Sequence, residues 1–165
     1  MQLKSVLTFV IALTFTTAVW AQTKISGTLQ CGSKPDPTYT IPVGDLPRHT
    51  FHIAKGKCTW SRPMEIVELA TKDQEGTVFV ETTGNRQLVR SAAVGTMANG
   101  DKYFLSTQGG LTFKEGEQKG SAGTWTFTGG TGRLKGLKGK GTYRWRPNPG
   151  GPATYETEGE YQLPK

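Results

Sequence analysis

Two alternating runs joined by a glycine-rich reversal, Ser121 to Arg146 (SAGTWTFTGGTGRLKGLKGKGTYRWR), constrain this chain more than any other stretch. Trp125 and Phe127 alternate with Thr124, Thr126 and Thr128, the two-residue period of a strand with one apolar face. The GGTG that follows reverses the chain, because glycine reaches positive φ at no steric cost. A second strand then places Gly139, Gly141, Tyr143 and Trp145 on one face. Lys138, Lys140, Thr142, Arg144 and Arg146 fall on the other.

The last strand supplies a partner for this one. From Ala153 to Leu163, Tyr155, Thr157, Gly159 and Tyr161 alternate with Glu156, Glu158 and Glu160. Pairing Arg146 with Thr154 sets Arg144 opposite Glu156, Thr142 opposite Glu158 and Lys140 opposite Glu160. The same register sets Trp145 opposite Tyr155. A slip of one residue would lose both matches, so charge outside and rings inside fix the hairpin. The basic stripe is thereby assigned to salt-bridged sheet surface, and nucleic-acid binding is not expected.

Short alternating segments bounded by turn residues continue through the chain, and helical apolar spacing is nearly absent. Expected strands cover Lys24–Leu29, an edge strand Thr38–Val43 interrupted by Pro42, Arg48–Ala54, Lys57–Trp60, Thr77–Thr83, Gln87–Thr96, and Lys102–Thr107 continuing into Leu111–Lys114. Glu65–Ala70 is read as a further strand. Turns are expected at Gly44–Pro47, Asp73–Gly76, Gly84–Asn85, Ala98–Asp101 and Glu115–Gly120. About eight to ten short strands tend to close or split into layers. The expected fold is all-β, a single, mostly antiparallel β-barrel, with a β-sandwich as second choice.

The N-terminus has its own character. Lys4 precedes an apolar run from Val6 to Val19, and Val19-Trp20-Ala21 ends it. This reads as a secretory signal peptide cleaved after Ala21, since the run is shorter than the ~20 residues that span a bilayer. Residues 22–165 then form one domain, exported to the periplasm or beyond the cell, with no stable membrane span. The two cysteines, Cys31 and Cys58, suit a disulfide in that compartment. Closing a loop of about 28 residues contributes about 3–4 kcal/mol. No ligand spacing joins them to His49 or His52, so no metal is expected.

The string GTWTFTGGTGRLKGLKGKGTY resembles the late-strand signature of small barrels of the allene oxide cyclase and dirigent type. Together with CGSKPDP, VGDLPRHTF, KCTW and MANGDKYF, the region after the leader is similar to a group of small secreted bacterial proteins without an assigned activity. The resemblance implies a closed barrel and no cofactor. No catalytic carboxylate of the cyclases can be matched to a position in this chain.

Candidate chemistry is sparse. The glycines from Gly130 to Gly141 lack the Lys-Ser/Thr of a phosphate loop and the strand-to-helix context of a dinucleotide site. No Ser stands in a nucleophile elbow. His49, Phe51 and Ile53 share one face of their strand, and Cys58 and Trp60 share one face of the next. The candidate cavity lining is therefore His49, Phe51, Trp60, Trp125, Tyr143 and Trp145. Glu65, Glu68 and Glu81 are mid-strand acids whose facing the alternation leaves open. Two functions fit: a non-catalytic barrel that binds a small apolar or aromatic ligand or a partner protein, or a cofactor-free isomerase or cyclase using a cavity acid or base.

Overall fold

The computed structural model describes residues 22–32, 37–114 and 117–164. The expected signal peptide lies outside the described residues. Ten strands follow one another: β1 (Thr23–Cys31), β2 (Thr38–Pro42), β3 (Thr50–Arg62), β4 (Glu65–Ile66), β5 (Leu69–Thr83), β6 (Arg86–Met97), β7 (Lys102–Lys114), β8 (Glu117–Gly130), β9 (Lys138–Arg146) and β10 (Ala153–Gln162). Every pairing is antiparallel, and the sheet runs β2-β3-β1-β10-β9-β8-β7-β6-β5-β4. A further pairing of β3 with β5 closes eight of the strands into a barrel. β2 and β4 are short additions at its two ends.

The last hairpin has the expected register. Arg146 pairs with Thr154, Trp145 with Tyr155, Arg144 with Glu156, Thr142 with Glu158 and Lys140 with Glu160. The outer charges interact diagonally as well as directly. Arg146 Nη2 lies 3.5 Å from Glu156 Oε2, and Lys140 Nζ lies 3.9 Å from Glu160 Oε1. The GGTG reversal becomes a 3-10 turn, Gly132–Leu134. Gly132 takes φ 52°, where a side chain would also collide with the Asp101 carboxylate. That carboxylate accepts the Arg133 N–H at 3.0 Å. The turn inserts Leu134, and Leu137 after it, into the barrel end, where both are fully buried with Met64, Ile66, Met97 and Tyr103.

Three local expectations are corrected. Arg48–Ala54 and Lys57–Trp60 are one strand, β3, which runs through Gly56 opposite Gly76. Asp73–Gly76 is not a turn but the middle of β5, paired with β3 on one side and β6 on the other, after a bulge between Thr71 and Asp73. Two ladders satisfy its backbone, and a barrel wall needs only one apolar face. Glu65–Ala70 is a hairpin rather than one strand. Val67 and Glu68 form its two-residue turn with φ 51° and 61°, a conformation usually given to Asn and Gly. The Val67 N–H donates to Tyr161 Oη at 3.0 Å, and Arg133 Nη2 donates to the Val67 carbonyl at 3.1 Å, which holds the turn in place.

Cys31 and Cys58 are directly opposed partners of β1 and β3 and form a disulfide, with Cα atoms 4.0 Å apart. It sits where the β1–β3 ladder ends, so the covalent link fastens the shortest seam of the barrel.

Inside, rings lie on glycines one or two strands away. A Cβ on Gly159 would stand 2.5 Å from the Trp125 indole, and one on Gly27 would stand 2.5 Å from Trp60 Cζ3. Gly141 lies under the same Trp125, Gly95 under Tyr103 and Gly109 under the Tyr143 hydroxyl. Gly56 differs, with nothing within 4 Å of a Cβ built there. Gly141→Ala is therefore expected to lose about 3 kcal/mol in urea unfolding, the upper part of the overpacking range. Gly56→Ala should stay within about 0.5 kcal/mol of the parent or gain slightly.

Candidate functional site

The inward face of each strand follows from parity once the disulfide and Trp60 fix β3. Thr50, His52, Ala54, Gly56, Cys58 and Trp60 point inward, and the cross-strand partners carry that face around the barrel. The plug of Leu134, Leu137, Met64 and Met97 fills one end. Towards the other end the wall is built from smaller residues and encloses a cavity of about 600 Å³. It reaches the rim at Thr50, Thr82 and Ala153. A volume of this size is in the range of small-molecule sites.

The two sides of the cavity differ. Tyr143 and Trp145 from β9 and Tyr155 from β10 form a wall of rings. The centroids of Tyr143 and Trp145 lie 6.1 and 6.2 Å from that of Tyr155. Trp125 and Phe127, buried below them, form the floor with centroids 4.8 Å apart. Across the barrel, β5 and β6 present Val78, Val80 and Val89. None of the described lining residues is Lys, Arg, Asp or Glu.

Most polar groups of the lining are paired among themselves. Ser91 Oγ and Thr107 Oγ1 are 2.7 Å apart, and Ser121 Oγ lies 3.4 Å from Tyr143 Oη. Trp60 Nε1 donates to Tyr103 Oη at 3.1 Å, and that hydroxyl donates to Gln74 Oε1 at 3.1 Å. Near the rim, His52 Nδ1 lies 2.9 Å from Thr40 Oγ1. Gln87 Nε2 donates to Thr82 Oγ1 at 3.0 Å, while Gln87 Oε1 is buried and accepts no hydrogen bond from a described residue.

Of the expected lining, Trp60, Trp125, Tyr143 and Trp145 face the cavity. His49 and Phe51 do not, and their placement is corrected. His49 precedes β3, and Phe51 and Ile53 lie on the outer face, where Phe51 packs on Phe79 with centroids 5.3 Å apart. An apolar alternation does not say which side of a wall it covers, and here β2 supplies outer neighbours, Ile41 opposite Phe51 and Tyr39 opposite Ile53. His49 is held against this outer cluster, with Nδ1 2.6 Å from Asp45 Oδ1 and Nε2 3.5 Å from Glu81 Oε1. The hydrogen bond from His49 is the main reason the Asp45 carboxyl lies below its usual range. Glu65 and Glu68 are exposed, and Glu81, paired with Phe51, is also on the outside. Tyr155 lies on the inner face opposite Trp145, as the hairpin register expects, whereas sequence reasoning missed His52 and Gln87 as lining. Carrying the parity of Cys58 and Trp60 back through Gly56 would have found the first.

Burial raises both interior tyrosines that shift. Tyr103 moves well above the ordinary phenol range, and Tyr155 is pushed up to about 12, with Tyr143 adding to the effect.

No protein-family model matches the sequence, and no curated protein matches it. Solved structures do. A pterocarpan synthase dirigent protein has a TM-score of 0.52 at 12% identity, covering 95% of this chain and 99% of its own. A protein of unknown function from the DUF3224 family of Shewanella oneidensis has a TM-score of 0.52 at 18% identity, covering 88% and 100%. Pyocyanin demethylase is more distant, with a TM-score of 0.46 at 16% identity over 80% and 97%.

The Tyr155 shift carries a sign that can be measured. The unfolded chain ionises this phenol near 10 and the folded protein only near 12, so its contribution to stability is complete below about pH 10 and is lost as pH rises through about 12. The urea midpoint is expected to fall between about pH 9 and about pH 11.5, and Tyr155→Phe should reduce that fall. An equal fall in the variant would show that the phenol is not held neutral by the fold. What the chain shares with the dirigent and DUF3224 structures is the fold, a closed antiparallel barrel.

Proposed function

We propose that this protein is an exported, non-catalytic barrel that binds a small, uncharged, largely aromatic molecule inside its cavity. The observation that carries the reading is the composition of the lining: a wall of rings facing a wall of valines, with no Lys, Arg, Asp or Glu among the described residues. Such a lining favours flat apolar ligands and penalises charged ones, because a charge moved into it leaves water without gaining a partner. The mid-strand acids that a cyclase mechanism would have drawn on lie on the outer surface, which favours binding over cavity acid–base chemistry.

Export rests on the leader-like residues 1–21 and agrees with a disulfide between Cys31 and Cys58. No helix of the described residues is long and apolar enough to cross a membrane. Mass spectrometry of protein made in an exporting host should find Gln22 at the N-terminus. An intact Met1 on membrane-associated protein would contradict the leader assignment.

Binding is checked with N-phenyl-1-naphthylamine, a neutral probe that brightens in apolar surroundings. The expected result is saturable binding that dims the tryptophan emission. Trp145→Ala should weaken it about tenfold or more, because this half-buried ring forms part of the wall. Arg144→Ala, one residue away on the outer face, should leave it unchanged. No saturable binding to the folded, oxidised protein would remove the reading.

A further inference from the structure

The apolar walls explain how a ligand is held and leave open how one is chosen. One polar feature of the lining bears on the choice. Ser91 of β6 and Thr107 of β7 are directly opposed in their ladder, with side-chain oxygens 2.7 Å apart. A hydroxyl carries one hydrogen and can accept as well as donate. Whichever of the two donates, their mutual bond uses one hydrogen and leaves the other unspent. The pair has no other hydrogen-bond partner among the described residues.

The fold opens this pair to the cavity. Ser91 continues the inward face from Ala54 through Val78, and Thr107 continues it from Ser91. Both residues are half-buried and lie in mid-strand with a paired strand on either side. The ladders cover their backbone, so the surface they still expose is side chain on the cavity side. Ser121 and Tyr143, a second hydroxyl pair, are both buried. Thr107 is also the ladder partner of Trp125, which sets the Ser91–Thr107 pair beside the ring floor. β6 stands across the barrel from β10, four strands away in either direction around the ring, so Tyr155 lies on the facing side.

We propose that the Ser91–Thr107 hydroxyl pair is the specificity-determining element of the cavity, donating its unspent O–H to a carbonyl or similar acceptor on the edge of a neutral aromatic ligand. The inference rests on the binding reading above and deepens it. The ligand is apolar over its faces and carries an acceptor at one edge. An analogue without that acceptor covers the O–H and leaves it unpaired, which is costly away from water. The two residues act as a unit. If either hydroxyl is removed, the one left behind still has a hydrogen to give.

Fluorenone and fluorene test this directly, since they share one three-ring frame and differ in a carbonyl against a methylene. Each is titrated into the oxidised protein by displacement of N-phenyl-1-naphthylamine, and the quantity read is the ratio of their affinities. Ser91→Ala combined with Thr107→Val is expected to lower the preference for fluorenone about tenfold relative to the wild type, whereas each single variant should keep it within about threefold. A second measurement needs no variant: the infrared carbonyl stretch of fluorenone bound to the wild type should lie below its position in hexane. An unchanged ratio in the folded double variant overturns the role of the pair while probe binding still stands. So does a larger loss in either single variant, or a bound carbonyl stretch at its hexane position. Absence of binding by all three compounds overturns the binding reading and this inference with it.

Discussion

Large rings seated on glycines one or two strands away are the contact on which this barrel depends. Eight strands leave an interior just wide enough for side chains to fill. Trp60, Tyr103, Trp125 and Tyr143 cannot all enter that space over ordinary residues, and each lies over glycine: Gly27, Gly95, Gly141 with Gly159, and Gly109. The glycines cost backbone entropy in the unfolded chain and offer no side chain to bury. What they give is room for rings whose burial contributes far more area than a strand of valines could. The spaced glycines of β9 and β10 are therefore a packing surface, and a phosphate-loop reading of them finds no support in their positions.

The same device divides the barrel into two halves. Where rings meet glycine, and where Leu134 and Leu137 enter from the 3-10 turn, the interior is filled. Towards the rim the lining changes to Thr50, Ala54, Val78, Val80, Thr82 and Ala153, which are too small to meet across the barrel. The cavity is the consequence. Its stability at that end falls to the seam between β1 and β3, whose ladder joins only Thr28–Cys31 to Arg62–Cys58. β2 takes over alongside the first residues of β3, and the disulfide fastens the last pair of the seam. The covalent bond is thus placed where the fewest backbone hydrogen bonds hold the wall shut.

Much of this was legible in the sequence, and the reasons are local. The β9–β10 register could be read because two independent patterns, charge against charge and ring against ring, agree only in one alignment. The region from Arg48 to Trp60 could not be read the same way. Gly56 looked like a break, so the parity of Cys58 and Trp60 was not carried to His52, and the apolar face of Phe51 and Ile53 was turned inward. On that outer face Phe51 packs against His49 and Phe79 beside the paired β2, while Ile53 stays exposed, a tertiary fact that no alternation contains. Val67 and Glu68 in a turn suited to Asn-Gly were equally invisible, since Tyr161 and Arg133, far away in sequence, hold them there. The rings of the site were visible as residue types. Their placement on one wall was not, because it follows from which strands the closed sheet sets side by side.

Charge placement ties these observations together. The chain carries a net charge of +7, yet its basic and acidic side chains meet on the outer surface, as with Lys140 and Lys24 around Glu160 and Lys55 and Lys57 around Glu75. Pairs this exposed add little stability. Their more consequential effect is on register, since a shift of one residue in any of these strands would carry a charge into an interior that has no partner for it. The demand that keeps the walls in register therefore also keeps the cavity neutral. Neutral walls, rings and a few mutually paired polar groups are what the register leaves on the inner face.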